Sequence, residues 1–215
     1  MKQLLFKLKY RIYSFKMIVL IMCILFSWNF TSLAQERKLI YDILKNREVI
    51  GELSIHELNL DQKRFLNLIS DVKTRFIFSI TDHLSETATL ENGVLTHSSF
   101  YQKQNGTEKA NKATIAQGNF YKIIDGKNET YISDKPIRYN MLQLYTNIPE
   151  NINEVYSDNF QKLLGIKKVA ADTYRLTLPD GNYNYYTYQN NICRKVEIDR
   201  TFFKLQFVLR EIINQ

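Results

Sequence analysis

The chain has 215 residues, 29 of them basic and 22 acidic, with three histidines, two cysteines and one tryptophan. Five of the basic residues and none of the acidic ones fall in residues 1–34. The rest of the chain therefore carries 24 basic against 22 acidic, and a nucleic-acid or polyanion surface loses its support. Only Cys193 lies beyond residue 34, which excludes an internal disulfide there, so the 181 remaining residues must be held by one core and read as one domain, 35–215.

Residues 1–34 read as a secretory signal peptide. Lys2, Lys7, Lys9, Arg11 and Lys16 precede the apolar run "MIVLIMCILFSW", and Ser32-Leu33-Ala34 offers small residues to a signal peptidase. About a dozen apolar residues fall short of the roughly 20 that a membrane span needs, so cleavage near Ala34 is expected rather than retention as an anchor. Met22 stands before Cys23, where a lipobox requires a small residue. Trp28 leaves with the leader, so a processed chain fluoresces through tyrosine alone.

From residue 39 onward the pattern predicts antiparallel strands between short polar turns. "LIYDIL" (39–44) and "VIGELSI" (49–55) flank "KNRE". The run 63–82 alternates most clearly. Leu66, Leu68, Ser70, Val72, Thr74, Phe76, Phe78 and Ile80 share one face, and Asn67, Asp71, Lys73, Arg75 and Ser79 the other. As one strand it would exceed roughly 60 Å, so it is expected to bend near Ser70-Asp71 through a bulge, as long strands do in curved sheets or barrels. Asn92-Gly93, Asn105-Gly106, Asp125-Gly126 and Asp180-Gly181 mark hairpin turns, because these residues tolerate positive φ. At the C-terminus Phe203, Leu205, Phe207 and Leu209 alternate with polar residues in a last half-buried strand.

One segment breaks the pattern. Ser133 or Asp134 can cap a helix, Pro136 suits its first turn, and Ile137, Met141, Leu144 and Tyr145 follow helical spacing until Pro149. The expected architecture is mainly β: a strongly curved antiparallel sheet or open barrel, with one helix near 136–146 covering or plugging its concave side.

Catalytic signatures are missing from the sequence. His56, His83 and His97 form neither His-x-His nor HExxH. There is no GxSxG elbow, Walker loop or GxGxxG. Cys193 has no local partner that would make it a nucleophile and reads as an inert, partly buried thiol. Asp180, Asn182 and Asn184 imitate the start of a calcium loop, but Tyr185 stands where its glycine belongs and Asn191 where its glutamate belongs. No catalytic residue, metal ligand or cofactor is assigned.

The stretch "YNYYTY" places Tyr183 and Tyr185 on one face of a strand and Tyr186 and Tyr188 on the other. Cross-strand packing is the plain explanation, and a platform for sugar rings or acyl chains the functional one.

The segments 70–95, 136–145, 155–160 ("VYSDNF") and 178–198 together resemble an uncharacterised family of exported bacterial proteins, a domain of unknown function. The resemblance covers essentially all of the chain after the leader. It implies a small β-rich envelope protein with no assigned activity. By architecture alone the expected fold is similar to exported half-barrels that carry lipoproteins or lipid. The expected function is non-enzymatic: a periplasmic or envelope-associated protein that binds a lipid or other apolar ligand between helix and sheet. Val72, Phe76, Phe78, Met141, Tyr145, Tyr186 and Tyr188 are the candidate lining, and Phe203, Phe207 and Leu209 plain core. The alternative is a glycan-binding or structural envelope module that uses exposed tyrosines and makes peripheral envelope contacts.

Overall fold

The turn residues do what their chemistry allows. Asn46 and Arg47, Asn92 and Gly93, Asn105 and Gly106, and Asn190 and Asn191 all take positive φ, so each pair reverses the chain within two residues. A computed structural model describes residues 34–214 except 76–78, 134 and 201–202; the proposed leader at 1–33 lies outside the described residues.

Fourteen strands result: β1 (Gln35–Lys45), β2 (Glu48–Leu60), β3 (Lys63–Arg75), β4 (Ser79–Glu91), β5 (Val94–Gln104), β6 (Thr107–Gln117), β7 (Phe120–Asp125), β8 (Asn128–Ser133), β9 (Glu154–Ser157), β10 (Lys162–Ala170), β11 (Thr173–Thr177), β12 (Tyr183–Gln189), β13 (Ile192–Arg200) and β14 (Phe203–Asn214). They form one antiparallel sheet in the order 8-7-6-5-4-3-2-1-14-13-12-11-10-9. Sequence neighbours pair except for β8 and β9, and β1 joins β14, so the first and last strands meet in the middle of the sheet. Register shifts at Ile40/Tyr41, Ile43/Leu44, Thr89/Leu90, Gln102/Lys103 and Thr187/Tyr188 mark bulges, the devices that bend a sheet.

The outer strands β8 and β9 do not pair with each other, so the sheet is an open barrel. Side chains bridge the gap instead. Gln161 Nε2 donates to the carbonyls of Ala113 (3.3 Å) and Ile124 (2.9 Å), and Lys112 Nζ to that of Asn159 (2.6 Å). Thr114 and Tyr156 share a buried hydroxyl–hydroxyl bond at 2.9 Å.

Two sequence expectations need correction. The run 63–82 is not one long strand bent at Ser70-Asp71. β3 and β4 are separate partners, with Arg75 opposite Ser79, and β3 carries no register shift. The helix also shrinks to α1 (Gln143–Thr146). Upstream of it the backbone is already committed to the sheet: Leu95 N–H donates to Ile137 O (2.8 Å), Tyr156 N–H to Tyr139 O (2.8 Å), and Met141 N–H to Tyr156 O (2.9 Å). Asn140 thereby makes a parallel bridge with Tyr156. Groups used in this way cannot close i→i−4 rings.

The connection between β8 and β9 nevertheless plugs the barrel. Ile137, Asn140, Leu142, Gln143, Leu144, Tyr145 and Thr146 are all buried. They pack against inward-facing Leu39, Tyr41, Ile43, Leu53, Ile55, Leu66 and Leu68 and, from the far wall, Tyr174, Leu176, Tyr186 and Val196. The plug is latched by charge. Arg37 and Arg64 both grip the buried carboxylate of Glu57, with Nε at 2.9 and 2.7 Å. From the same guanidiniums, Arg37 Nη2 reaches Thr146 O at 3.2 Å and Arg64 Nη2 reaches Thr146 Oγ1 at 2.6 Å and Asn147 Oδ1. Two cations thus face the carbonyl end of α1, where its unpaired C=O groups point.

Candidate functional site

Antiparallel neighbours place successive connections at alternate rims of the barrel. The plug enters from the rim that holds turns 61–62 and 190–191, and Ile148 N–H is tied there to Asn191 Oδ1 at 2.9 Å. Toward the other rim, which holds turns 46–47 and 105–106, the interior is not filled. A half-open cavity of about 330 Å³ remains.

Its walls follow from strand alternation. From β2–β5 come Leu53, Leu68, Leu84 and Phe100; from β12–β14 come Tyr186, Val196, Ile198, Leu205 and Phe207; Met141, Leu142 and Tyr145 of the plug form the base. Polar groups are fewer: Ser70, Glu86, Gln102, Ser157, Asn159, Asn184 and Arg200. Predominantly apolar walls with a few polar groups are the usual composition of a small-molecule site.

Glu86 is the unusual member. It is 8% exposed, and it meets Asp158, which is 2% exposed. The two carboxyls are close enough to hydrogen-bond, and Asp158 raises the cost of charging the already desolvated Glu86. Burial first, and then Asp158, hold Glu86 well above the usual carboxylate range. Burial pushes Asp158 up to about 6 against the opposing hydrogen bonds from Ser98, Glu86 and Asn140. Ser98 Oγ donates to Asp158 Oδ1. Glu86 Oε1 and Asp158 Oδ2 find no N–H or O–H donor. A proton retained by Glu86 supplies the donor that the pair lacks.

The tyrosine strand divides as its alternation requires. Tyr186 and Tyr188 face inward and are 1% and 4% exposed, while Tyr183 and Tyr185 face outward and are half-buried. Tyr145 packs edge-on between Tyr41 (5.5 Å) and Tyr186 (6.2 Å). Tyr188 packs on Tyr174 (5.7 Å), and its hydroxyl donates to Leu144 O at 2.8 Å, so it fastens the plug. Outside, the Arg175 guanidinium covers one face of the Tyr183 ring at 4.4 Å. Cys193 is fully buried, and desolvation raises its thiol to about 12, far from a nucleophile's range. His83 lies on the outer face, paired with Asp71 at 2.7 Å. Asp180 holds the β11–β12 turn by accepting from Asn182 N–H (3.0 Å) and Nδ2 (2.8 Å).

The model of a domain of unknown function, DUF6134, matches residues 41–210, from β1 into β14. The chain belongs to the DUF6134 family. Among solved structures, this DUF6134 chain is similar to a beta-barrel-like protein of domain of unknown function DUF1849 from Brucella abortus. The TM-score is 0.54 at 12% identity, over 85% of this chain and 98% of the other, a likeness of fold alone. No curated protein matches the sequence.

In this DUF6134 domain the expected lining is only partly assembled. Met141, Tyr145 and Tyr186 meet at the cavity. Val72 points inward by alternation but borders a separate hollow near Gly51, and Tyr188 lies behind the plug. Phe76 and Phe78 lie outside the described residues, as does the Phe203 side chain. Phe207, expected as plain core, lines the cavity. An exposed platform of Tyr186 and Tyr188 does not form, because both rings are buried. The functional groups that sequence reading passed over, Glu57 and Glu86, did leave a trace. Both occupy inward positions of their strands, Glu57 after Leu53 and Ile55, and Glu86 before Ala88 and Leu90.

Proposed function

We propose that the chain is a non-enzymatic exported envelope protein that holds an apolar or amphipathic ligand, a lipid or acyl chain, between the plug and the curved sheet. The observation that supports it is the half-open cavity of about 330 Å³, whose apolar walls come from both sides of the barrel and from Met141 and Tyr145. Its volume falls at the small end of the roughly 300–1,000 Å³ range of ligand pockets, which suits a slender chain better than a bulky polycycle. The leader-like residues 1–34 support export.

Titration of the purified protein with a fluorescent fatty-acyl probe tests the reading. Ser70→Phe places a ring in the cavity from β3. The wild type is expected to bind the probe, and the variant to lose at least about tenfold in affinity while melting within a few degrees of wild type. Equal binding by both would show that the probe sits elsewhere.

A further inference from the structure

The cavity is apolar, yet one guanidinium stands on its wall without a carboxylate. Arg200 ends β13 at the open rim, and its side chain is half-buried. Among the described residues every acceptor it meets is neutral: Nη1 donates to Tyr183 O (3.3 Å) and Asp199 O (3.0 Å), and Nη2 to Asn184 Oδ1 (3.1 Å). The carboxylate next to it in the chain, Asp199, is taken by Lys204 at 3.0 Å. Arg37, Arg64 and Arg210, by contrast, all sit on carboxylates.

A guanidinium has five N–H donors and binds oxyanions in a bidentate fork, more strongly than it binds neutral carbonyls. Holding such a group half out of water with no counter-charge is costly. The acidic groups around it do not cancel it. Glu86, deeper in the cavity, is held well above the usual carboxylate range by burial and by Asp158, and Asp82 accepts both bonds from Gln102 Nε2, at 2.9 and 3.1 Å. Asp180 feels Arg200 only through space and is fully exposed.

We infer that the ligand is an amphipath with an anionic, oxyanion-bearing head, and that Arg200 is the residue that receives this head while the apolar walls take the chain. The inference rests on the cavity being an acyl site. Glu86, as a neutral acid beside the chain, does not repel such a ligand, whereas a cationic head would meet Arg200 at the entrance.

Three probes of equal chain length separate the possibilities by calorimetry: dodecanoate, dodecyl phosphate and dodecanol. The wild type is expected to bind at least one of the two anions about tenfold or more tighter than the alcohol, the margin of a charge-assisted bond. The tighter of the two anions then names the head as carboxylate or phosphate. Arg200→Gln is expected to erase the margin with dodecanol affinity unchanged, and Arg200→Lys to keep part of it. Raising salt in the wild type should weaken the anion and not the alcohol, a readout that stands even if the glutamine variant fails to fold. Equal affinity for all three probes, or an Arg200→Gln variant that still prefers the anion, overturns the head-group assignment alone. Binding of none of the three overturns the acyl-site reading and the assignment with it.

Discussion

Replacing Glu86 by glutamine keeps the shape of the buried pair and removes its proton. In the folded protein Asp158 titrates at about 6, against about 3.9 for an ordinary aspartate, and Glu86 is raised as well. Between about pH 4 and these raised values the native state binds more protons than the unfolded chain, so stability falls as pH rises through that window. About two pH units for Asp158 correspond to about 3 kcal/mol. In Glu86→Gln the amide still donates to Asp158 but no longer titrates, so the part of the loss that comes from Glu86 should disappear while the burial-driven part from Asp158 remains. Urea unfolding followed by circular dichroism at intervals from pH 4 to 8 reads the effect. Near pH 4 the variant and wild type should be equally stable. By pH 8 the variant should be more stable than the wild type by at least about 1 kcal/mol, or about 2–4 °C in melting temperature for a chain of this size. A difference that stays constant with pH, or a wild type more stable at pH 8, would refute the shared-proton account.

Other changes probe the frame. Glu57→Gln leaves Arg37 and Arg64 facing each other and the end of α1 without their carboxylate, and should cost about 3–5 kcal/mol in the same unfolding assay. Gly51→Ala should destabilise by about 1–3 kcal/mol, because a Cβ there would collide with the Asp71 carbonyl oxygen and lie 2.9 Å from Val72 Cα. Tyr188→Phe strips the buried Leu144 carbonyl of its hydroxyl donor and should cost about 1–2 kcal/mol, with earlier hydrogen exchange in the plug than in β1 or β2.

Much of the barrel was written in local chemistry. The Asn-Gly and Asn-Asn pairs place reversals because few residues accept positive φ, and alternation separated the two faces of β3 and of β12, though in β12, with tyrosines on both faces, it did not say which one is buried. The β3–β4 hairpin escaped for a definite reason. Partners in it, such as Thr74 and Ile80 or Leu66 and Ala88, are both even-numbered, so the inward pattern runs unbroken through the reversal. No glycine, proline or asparagine falls in 76–78 to signal it.

The plug misled in a different way. Ile137, Met141, Leu144 and Tyr145 do have helical spacing, but an amphipathic helix presupposes a wet face. Here Asn140, Gln143 and Thr146 are buried too, hydrogen-bonded to one another and, through Thr146, to Arg64. The Glu86–Asp158 and Arg37–Glu57–Arg64 clusters join β-strands to the plug and to the turn after β9, across long sequence separations. Alternation could expose Glu57 and Glu86 as charges on an inward face, but the pairing that neutralises them exists only once the sheet has curled.

Occupancy of the half-open interior in the protein's own setting decides whether this is an acyl-ligand site. Native mass spectrometry of the protein purified gently from its host, compared with Ser70→Phe prepared in the same way, measures this directly. The expected result is a bound species of acyl-chain mass on the wild type that is displaced by dodecanoate and missing from the variant. A wild-type mass equal to that of the bare chain, together with no uptake of dodecanoate, dodecyl phosphate or dodecanol, would contradict it.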